Sequence, residues 1–298
     1  MTEQQPLVSI VIPCYNHAQF VQETIQSVID QDYENIELII IDDGSKDNSV
    51  EVIQEMIPAC EERFVRFEFR YRPNKGLCAT LNEALEWCRG EYLSPLASDD
   101  IIKKYKTRIQ VDYLNKNRDV KGVFGDMEVI YKDGSKEVLL MQTAKYSFED
   151  IFLHKHNLPA PTQMLRLAKV KEIGGYRSDL IIEDWSMWLF LTEDGSKLAY
   201  IDKVFSSYRR HDENLSGNLE EMHKGRLQVI NLYKKHELYQ QAKSKILMIQ
   251  AHQIQTISKI KSIPFFLKAI VTNPKCILYR SFYTYFAKFI IKRKNMLV

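Results

Sequence analysis

The chain has 298 residues, 45% hydrophobic and 27% charged, with 41 Lys and Arg against 39 Asp and Glu. That length can bury the core of one large domain or two modest ones, and the ordinary composition excludes a wholly disordered, collagen-like or disulfide-scaffold protein. The charge is segregated: residues 221–298 carry 15 Lys and Arg against two acids, which leaves 26 against 37 in the first 220. An acidic body joined to a basic tail points the tail toward an anionic partner.

The five cysteines are odd in number and no pair has metal-ligand spacing, so reduced thiols in a cytosolic protein are expected. The start of the chain, Met1 to Gln5, has no basic segment before Leu7–Ile12 and does not read as a signal peptide. No apolar run approaches the roughly 20 residues of a spanning helix.

In chain order, Leu7–Pro13 reads as a buried strand, and Val21, Ile25 and Val28 share one helical face over 19–30. Ile36–Ile41 is a second strand, stopped by Asp42-Asp43-Gly44-Ser45. Asp47 or Asn48 can cap a helix running to about Glu62. Phe64–Tyr71, a helix over Leu77–Cys88 and a strand over Glu91–Leu96 follow, then a helix near 103–117. Strands alternating with helices of this length predict an α/β fold with a mixed, mostly parallel sheet flanked by helices. Beyond residue 120 the pattern changes. Gly122–Ile130 and Glu137–Met141 flank an Asp-Gly turn, a helix is expected near 147–153, a strand near Gln163–Leu167, a helix over Glu183–Glu193, and one or two strands over Lys197–Tyr208. From Leu219 the reading is helical, interrupted at Pro264 and Pro274. The clearest boundary falls between His211 and Leu219, giving a domain over 1–215, with halves of about 1–120 and 121–215, and a basic helical region over 216–298.

Ligands of an open parallel sheet bind beyond the carboxyl ends of its strands. Four polar clusters occupy such ends: Pro13-Cys14-Tyr15-Asn16, Asp42-Asp43-Gly44-Ser45, Asn74-Lys75-Gly76 and Ser98-Asp99-Asp100. The first acidic pair could be a tight turn with a helix cap, and the second an N-cap for the helix at 103–117. Two such pairs at successive strand ends fit a divalent metal completed by substrate phosphates, Mn²⁺ or Mg²⁺. No Gly-x-Gly-x-x-Gly follows strand 1 and no Walker loop occurs.

These motifs, with Asn82, Gly174-Gly175-Tyr176, Glu183-Asp184-Trp185 and Tyr208-Arg209-Arg210-His211, resemble those of a family 2 glycosyltransferase with the GT-A fold, over roughly residues 7–215. The resemblance implies an inverting transfer from a nucleotide sugar, most simply a UDP-sugar, to a saccharide or lipid-linked saccharide in bacterial surface-polysaccharide assembly. It places Asp43 on N3–H of uracil, and Pro13, Tyr15 and Asn16 along the base and ribose. Lys75 lies near the nucleotide, with Ser98 and Asp99 on the donor. One of Asp99 and Asp100 binds the metal and the other the ribose or sugar, and His211 reaches the diphosphate or metal. Asp184 is the catalytic base, with Glu183 and Trp185 toward the acceptor. The family's first Asp of Asp-x-Asp is Ala97 here. A non-catalytic nucleotide-sugar-binding or scaffold protein is the alternative that Ala97 suggests. A nucleotidyltransferase is disfavoured by the absence of a Gly-rich loop after strand 1.

From Leu238 onward there is no acid, against eleven Lys and Arg interleaved with Phe265, Phe266, Tyr279, Phe282, Tyr283, Phe286 and Phe289. Such helices suit an anionic membrane surface, which would place the protein peripherally at the inner face of the cell membrane. Packing on the catalytic domain or in a homodimer is the alternative. Scattered basic residues without a recognition motif argue against nucleic acid.

Overall fold

The computed structural model describes residues 5–211 and 217–290; the expected N-terminal start, most of the expected boundary, and the basic Lys292, Arg293 and Lys294 lie wholly or partly outside the described residues. The described residues fall into two compact units, one of 5–148, 156–179 and 183–211, the other of 149–155, 180–182 and 217–290.

In the first unit the chain runs β1 (Val8–Cys14), α1 (Val21–Ile29), β2 (Ile36–Asp42), α2 (Ser49–Glu55), α3 (Ile57–Arg63), β3 (Arg66–Tyr71), α4 (Leu77–Trp87) and β4 (Tyr92–Pro95). It continues through β5 (Ile101–Ile102), α5 (Lys106–Lys116), β6 (Val120–Ile130), β7 (Lys136–Leu139), β8 (Ala144–Tyr146), α6 (Phe148–Phe152, of which 149–152 belong to the second unit), β9 (Met164–Arg166), α7 (Leu167–Glu172), α8 (Glu183–Thr192) and β10 (Lys197–Arg209). All ten strands join one sheet in the order β3-β2-β1-β4-β9-β6-β10-β5, with β7 on β6 and β8 on β10. β3, β2, β1 and β4 are mutually parallel, and β9 inserts antiparallel between β4 and β6. Every residue of β2 is buried, which is why Ile36–Ile41 is almost unbroken apolar sequence. Val21, Ile25 and Val28 of α1 pack into the same core.

Two local expectations change. The helix expected to run to Glu62 breaks at Met56, because Pro58, in the first turn of α3, has no N–H for the Gln54 carbonyl and its ring crowds that carbonyl. Ser98-Asp99-Asp100 does not cap a helix: β5 intervenes, and α5 starts only at Lys106. Of the one or two strands expected over Lys197–Tyr208, one forms, Lys197–Arg209.

The second unit holds α9 (Leu219–Asn231), α10 (Tyr239–Ile257), α11 (Lys259–Thr272) and α12 (Arg280–Ile290). Here α11 runs through Pro264 without a break. The carbonyl left without a helical partner is that of Ile260, a residue 78% exposed, so water can serve it. At Pro274 the helix does end, in a 3₁₀ turn. Leu247, Met248, Ala251, Phe266, Ala269, Cys276 and Tyr285 form a core, with Phe265, Phe282 and Phe289 packed on it. Phe266 stacks on Tyr285 at 4.1 Å. Four of the seven aromatics expected at a lipid surface are therefore engaged in this core, while Tyr279, Tyr283 and Phe286 remain exposed.

Candidate active site

The turn after β1 is a knot of backbone-directed hydrogen bonds. Asn16 adopts a left-handed conformation, φ 54°. Its N–H donates to Ser45 Oγ at 2.8 Å, and its Oδ1 accepts from Lys46 N–H at 2.7 Å. His17 N–H donates to Ser49 Oγ at 3.0 Å. The β1 and β2 turns thus hold each other, and the Asn16 side chain is spent on that join. Pro13 pairs with Ile41 within the sheet, and Tyr15 is 42% exposed beside it.

Asp43 is 5% exposed and gathers the loop after β3. Its Oδ1 accepts from the Lys75 N–H at 2.8 Å and from Arg72 Nη1, and its Oδ2 from the Gly76 N–H at 2.9 Å. The approach is close enough that a Cβ on Gly44 (φ +76°) would lie 2.6 Å from Asn74 N, so this position needs glycine. Arg72 also donates to Glu83 and Thr80 on α4. Sequence reading missed Arg72; its position at the carboxyl end of β3 was the available signal. The Lys75 side chain is exposed.

A second group forms where β4 ends. Ser98 Oγ bonds His17 Nδ1 at 2.8 Å, and Asp99 Oδ2 bonds His211 Nε2 at 2.8 Å. Ligating atoms of His17, Asp99 and His211 all lie within 4.8 Å of one another. Phe20 stacks on His211 at 5.3 Å and meets His17 edge-on at 5.9 Å. His17 is the second residue that sequence reading missed, although it directly follows Asn16. Asp100 points elsewhere. It is fully buried, its Oδ1 accepts from the Arg209 N–H at 3.2 Å, and its Oδ2 has no hydrogen-bond partner among the described residues. Burial, then the neighbouring Asp99, pushes its carboxyl well above the usual range. Arg209 also donates to the Asp99 carbonyl at 2.8 Å and pairs with Glu23.

The third group opens α8. Glu183 and Asp184 occupy its first turn, where the helix dipole favours a carboxylate, but burial outweighs it. Burial raises the Asp184 carboxyl, and burial together with the Asp184 charge pushes Glu183 up to about 7. Trp185 and Trp188 are only 3% and 4% exposed, so neither indole offers an open face to a sugar. Trp188 packs edge-on against Phe124. Asn82 clamps the preceding turn: Oδ1 accepts from Tyr176 N–H at 2.8 Å and Nδ2 donates to Tyr176 O at 2.7 Å. A Cβ on Gly175 would meet Asn82 Oδ1 at 2.6 Å. A cavity of about 240 Å³ in this half is lined by Met127, His156, Asn157, Leu158 and Pro159.

Acidic groups at the carboxyl ends of β2 and β4, and a carboxylate pair opening a helix in the other half of a mostly parallel sheet, define a GT-A-type α/β protein. The chain belongs to glycosyl transferase family 2, whose model matches residues 9–173, more than half of its length. It is 27% identical over 218 residues to the putative teichuronic acid biosynthesis glycosyltransferase TuaG of Bacillus subtilis, covering 73% of this chain and 84% of that one. Its fold is similar to that of Staphylococcus aureus TarS 1–349 in complex with UDP-GlcNAc (TM-score 0.64, 16% identity, 89% of this chain and 79% of that one). It is also similar to the Pyrobaculum calidifontis mannosyltransferase PcManGT in complex with GDP-Man and Mn²⁺ (TM-score 0.62, 13% identity, 97% and 86%). The chain spans 21% of the length of two rickettsial relatives that it matches at 39% identity.

Proposed function

We propose that this protein is an inverting glycosyltransferase that moves a sugar from a UDP-sugar to a saccharide or lipid-linked saccharide acceptor in polysaccharide biosynthesis. The observation that carries this reading is the pairing of two sites through one loop: Asn16 binds the turn that holds Asp43, and His17 binds Ser98 beside Asp99. A nucleotide end and a diphosphate end are thereby set side by side. The relation to TuaG and the UDP-GlcNAc complex of TarS support donor and pathway class.

A carboxylate has about four lone-pair positions. Asp43 uses two on Oδ1 and one on Oδ2 within the protein, leaving one on Oδ2 for the N3–H of uracil. Asp99 and His211 would hold Mn²⁺ or Mg²⁺, whose chemistry when bound is to offset charge on the departing diphosphate. Their donor atoms, 2.8 Å apart, are spaced like neighbouring ligands of one small ion, about 3 Å. Asp100 positions Asp99 and the end of β10 through Arg209.

Asp184 takes the proton of the acceptor hydroxyl as that oxygen bonds to C1 of the sugar. The C1–O bond to the diphosphate breaks, its electron pair leaves with the nucleoside diphosphate, and the anomeric centre inverts. Glu183 orients the acceptor.

The C-terminal helices rest on an anionic membrane surface. Ile260, Ile263, Leu267 and Val271 form one exposed stripe on α11, opposite the buried Ser262, Phe266 and Ala269. Among the described residues no helix is long and apolar enough to cross a membrane.

The deciding experiment is a panel of nucleotide sugars screened by thermal shift with and without Mn²⁺, followed by assay of nucleoside diphosphate release with saccharide acceptors. Stabilisation by a UDP-sugar without release for any acceptor would favour the non-catalytic binding protein instead.

A further inference from the structure

We infer that His17 is a third protein ligand of the divalent cation, filling the role that Ala97 cannot, and that the resulting two-imidazole, one-carboxylate set selects Mn²⁺-like ions over Mg²⁺. The inference rests on the metal-dependent reading of the site. Ala97 is exposed two residues before Asp99, and a methyl group offers no donor. Across the turn, His17 places a ring nitrogen within 4.8 Å of the ligating atoms of Asp99 and His211. The ring is held for this. The left-handed Asn16 turns the chain, Ser49 Oγ fixes the His17 N–H, and Ser98 Oγ fixes Nδ1. With Nδ1–H donating to Ser98 Oγ, Nε2 carries the lone pair, the arrangement in which a hydrogen-bonded histidine ligates a metal. Ser98 is itself tied down, since its carbonyl accepts from Thr24 Oγ1 at 2.9 Å. The two imidazoles meet edge to face, with ring centroids 5.8 Å apart, so their edges can turn toward one point without clashing.

The chemistry of the donor set then decides the ion. Mg²⁺ favours an all-oxygen environment and gives up its waters reluctantly, whereas imidazole nitrogen suits Mn²⁺, Co²⁺ and Zn²⁺ increasingly well. Replacing one carboxylate by a neutral imidazole also removes one negative charge, weakening the purely electrostatic attraction on which Mg²⁺ depends.

The test uses the full chain with Mn²⁺ and UDP, read by pulsed electron paramagnetic resonance, which counts imidazole ¹⁴N couplings independently of activity. The wild type should show two coupled imidazoles. His17→Ala and His17→Gln should each show one, and should weaken Mn²⁺ binding at least about 10-fold. Gln can keep the hydrogen bond to Ser98, so a loss shared by both variants at unchanged melting temperature separates ligation from folding. His17→Ala combined with Ala97→Asp should recover affinity while shifting preference toward Mg²⁺. A single imidazole in the wild type, lost in His211→Ala and untouched in His17→Ala, would overturn the inference while sparing the metal reading. No coupled nitrogen in any form would sink both.

Discussion

His211 Nε2 lies 2.8 Å from Asp99 Oδ2, joining side chains 112 positions apart. The contact follows from the sheet: β5 pairs antiparallel with β10, Ser206 opposite Ile102 and Ser207 opposite Ile101, so the residues before β5 face those after β10. The expected consequence is that Asp99→Ala and His211→Ala each lower Mn²⁺-dependent turnover about 100-fold or more, the loss of a ligand exceeding that of an outer partner. Steady-state kinetics across a Mn²⁺ titration checks this. Turnover that saturates at wild-type Mn²⁺ concentrations in both variants would refute it.

As the proposed base, Asp184 must be ionised to accept a proton, and burial raises its carboxyl. Loss of kcat on acidification should therefore set in above the ordinary carboxylate value. Burial is what raises Asp184, and Glu183 holds its own proton up to about 7, so Glu183→Gln should leave the acid limb in place. Asp184→Asn should abolish transfer while donor affinity stays within about 2-fold, since the group acts only on the acceptor proton. A pH–rate profile and donor titration by calorimetry test all three. Persistent transfer in Asp184→Asn would remove it as the base.

Asp43 should distinguish uracil from cytosine, because uracil N3 carries a proton to donate and cytosine N3 does not. A hydrogen bond to a charged group is worth about 1.5–3 kcal/mol, so UDP should bind about 10–100-fold more tightly than CDP. Asp43→Asn should erode that preference, its amide being able to donate to cytosine. Equal UDP and CDP affinities in the wild type would dismiss Asp43 as the base reader.

Lys106 is buried at 1% exposure, with Nζ on Ser94 Oγ at 2.6 Å and the Gln163 carbonyl at 3.2 Å, and burial pushes its pKa down to about 7. The unfolded chain binds this proton more tightly between about pH 7 and the ordinary lysine value near 10.4, so stability should rise with pH across that window and be lost as pH falls through it. Lys106→Met should raise the melting temperature at pH 7 and flatten that rise. A lower melting temperature at pH 7 with unchanged slope would show that the two hydrogen bonds outweigh desolvation.

For the α11 stripe, Leu267→Glu and Val271→Glu should reduce co-sedimentation with anionic vesicles without lowering the melting temperature, as both side chains are more than half exposed. Point changes are preferable to truncation, because removing α11 and α12 would strip Phe266, Ala269 and Tyr285 from the core. A shift in oligomeric state with vesicle binding intact would identify a second copy of the chain as the partner.

The alternation of β2-like apolar runs with amphipathic helices such as α1 made the parallel half of the sheet readable, since each element announces itself over a few neighbouring residues. β8 and α7, at three and six residues, were too short to carry a period. In the tail, the apolar-aromatic spacing was read correctly as helical, yet spacing does not say whether a ring meets lipid or another helix; Phe266 meets Tyr285.

The sequence by itself determined the order of the strands along the chain, the acidic clusters at their ends and the family motifs, because these depend on local spacing and residue type. Only the tertiary structure decided which partners those clusters take. Arg72 reaches Asp43, His17 joins Asp99 and His211, and Asp100 turns inward to Arg209. Such pairings are set by strand order and register, which bring together residues as distant along the chain as His17 and His211, and no local pattern encodes them.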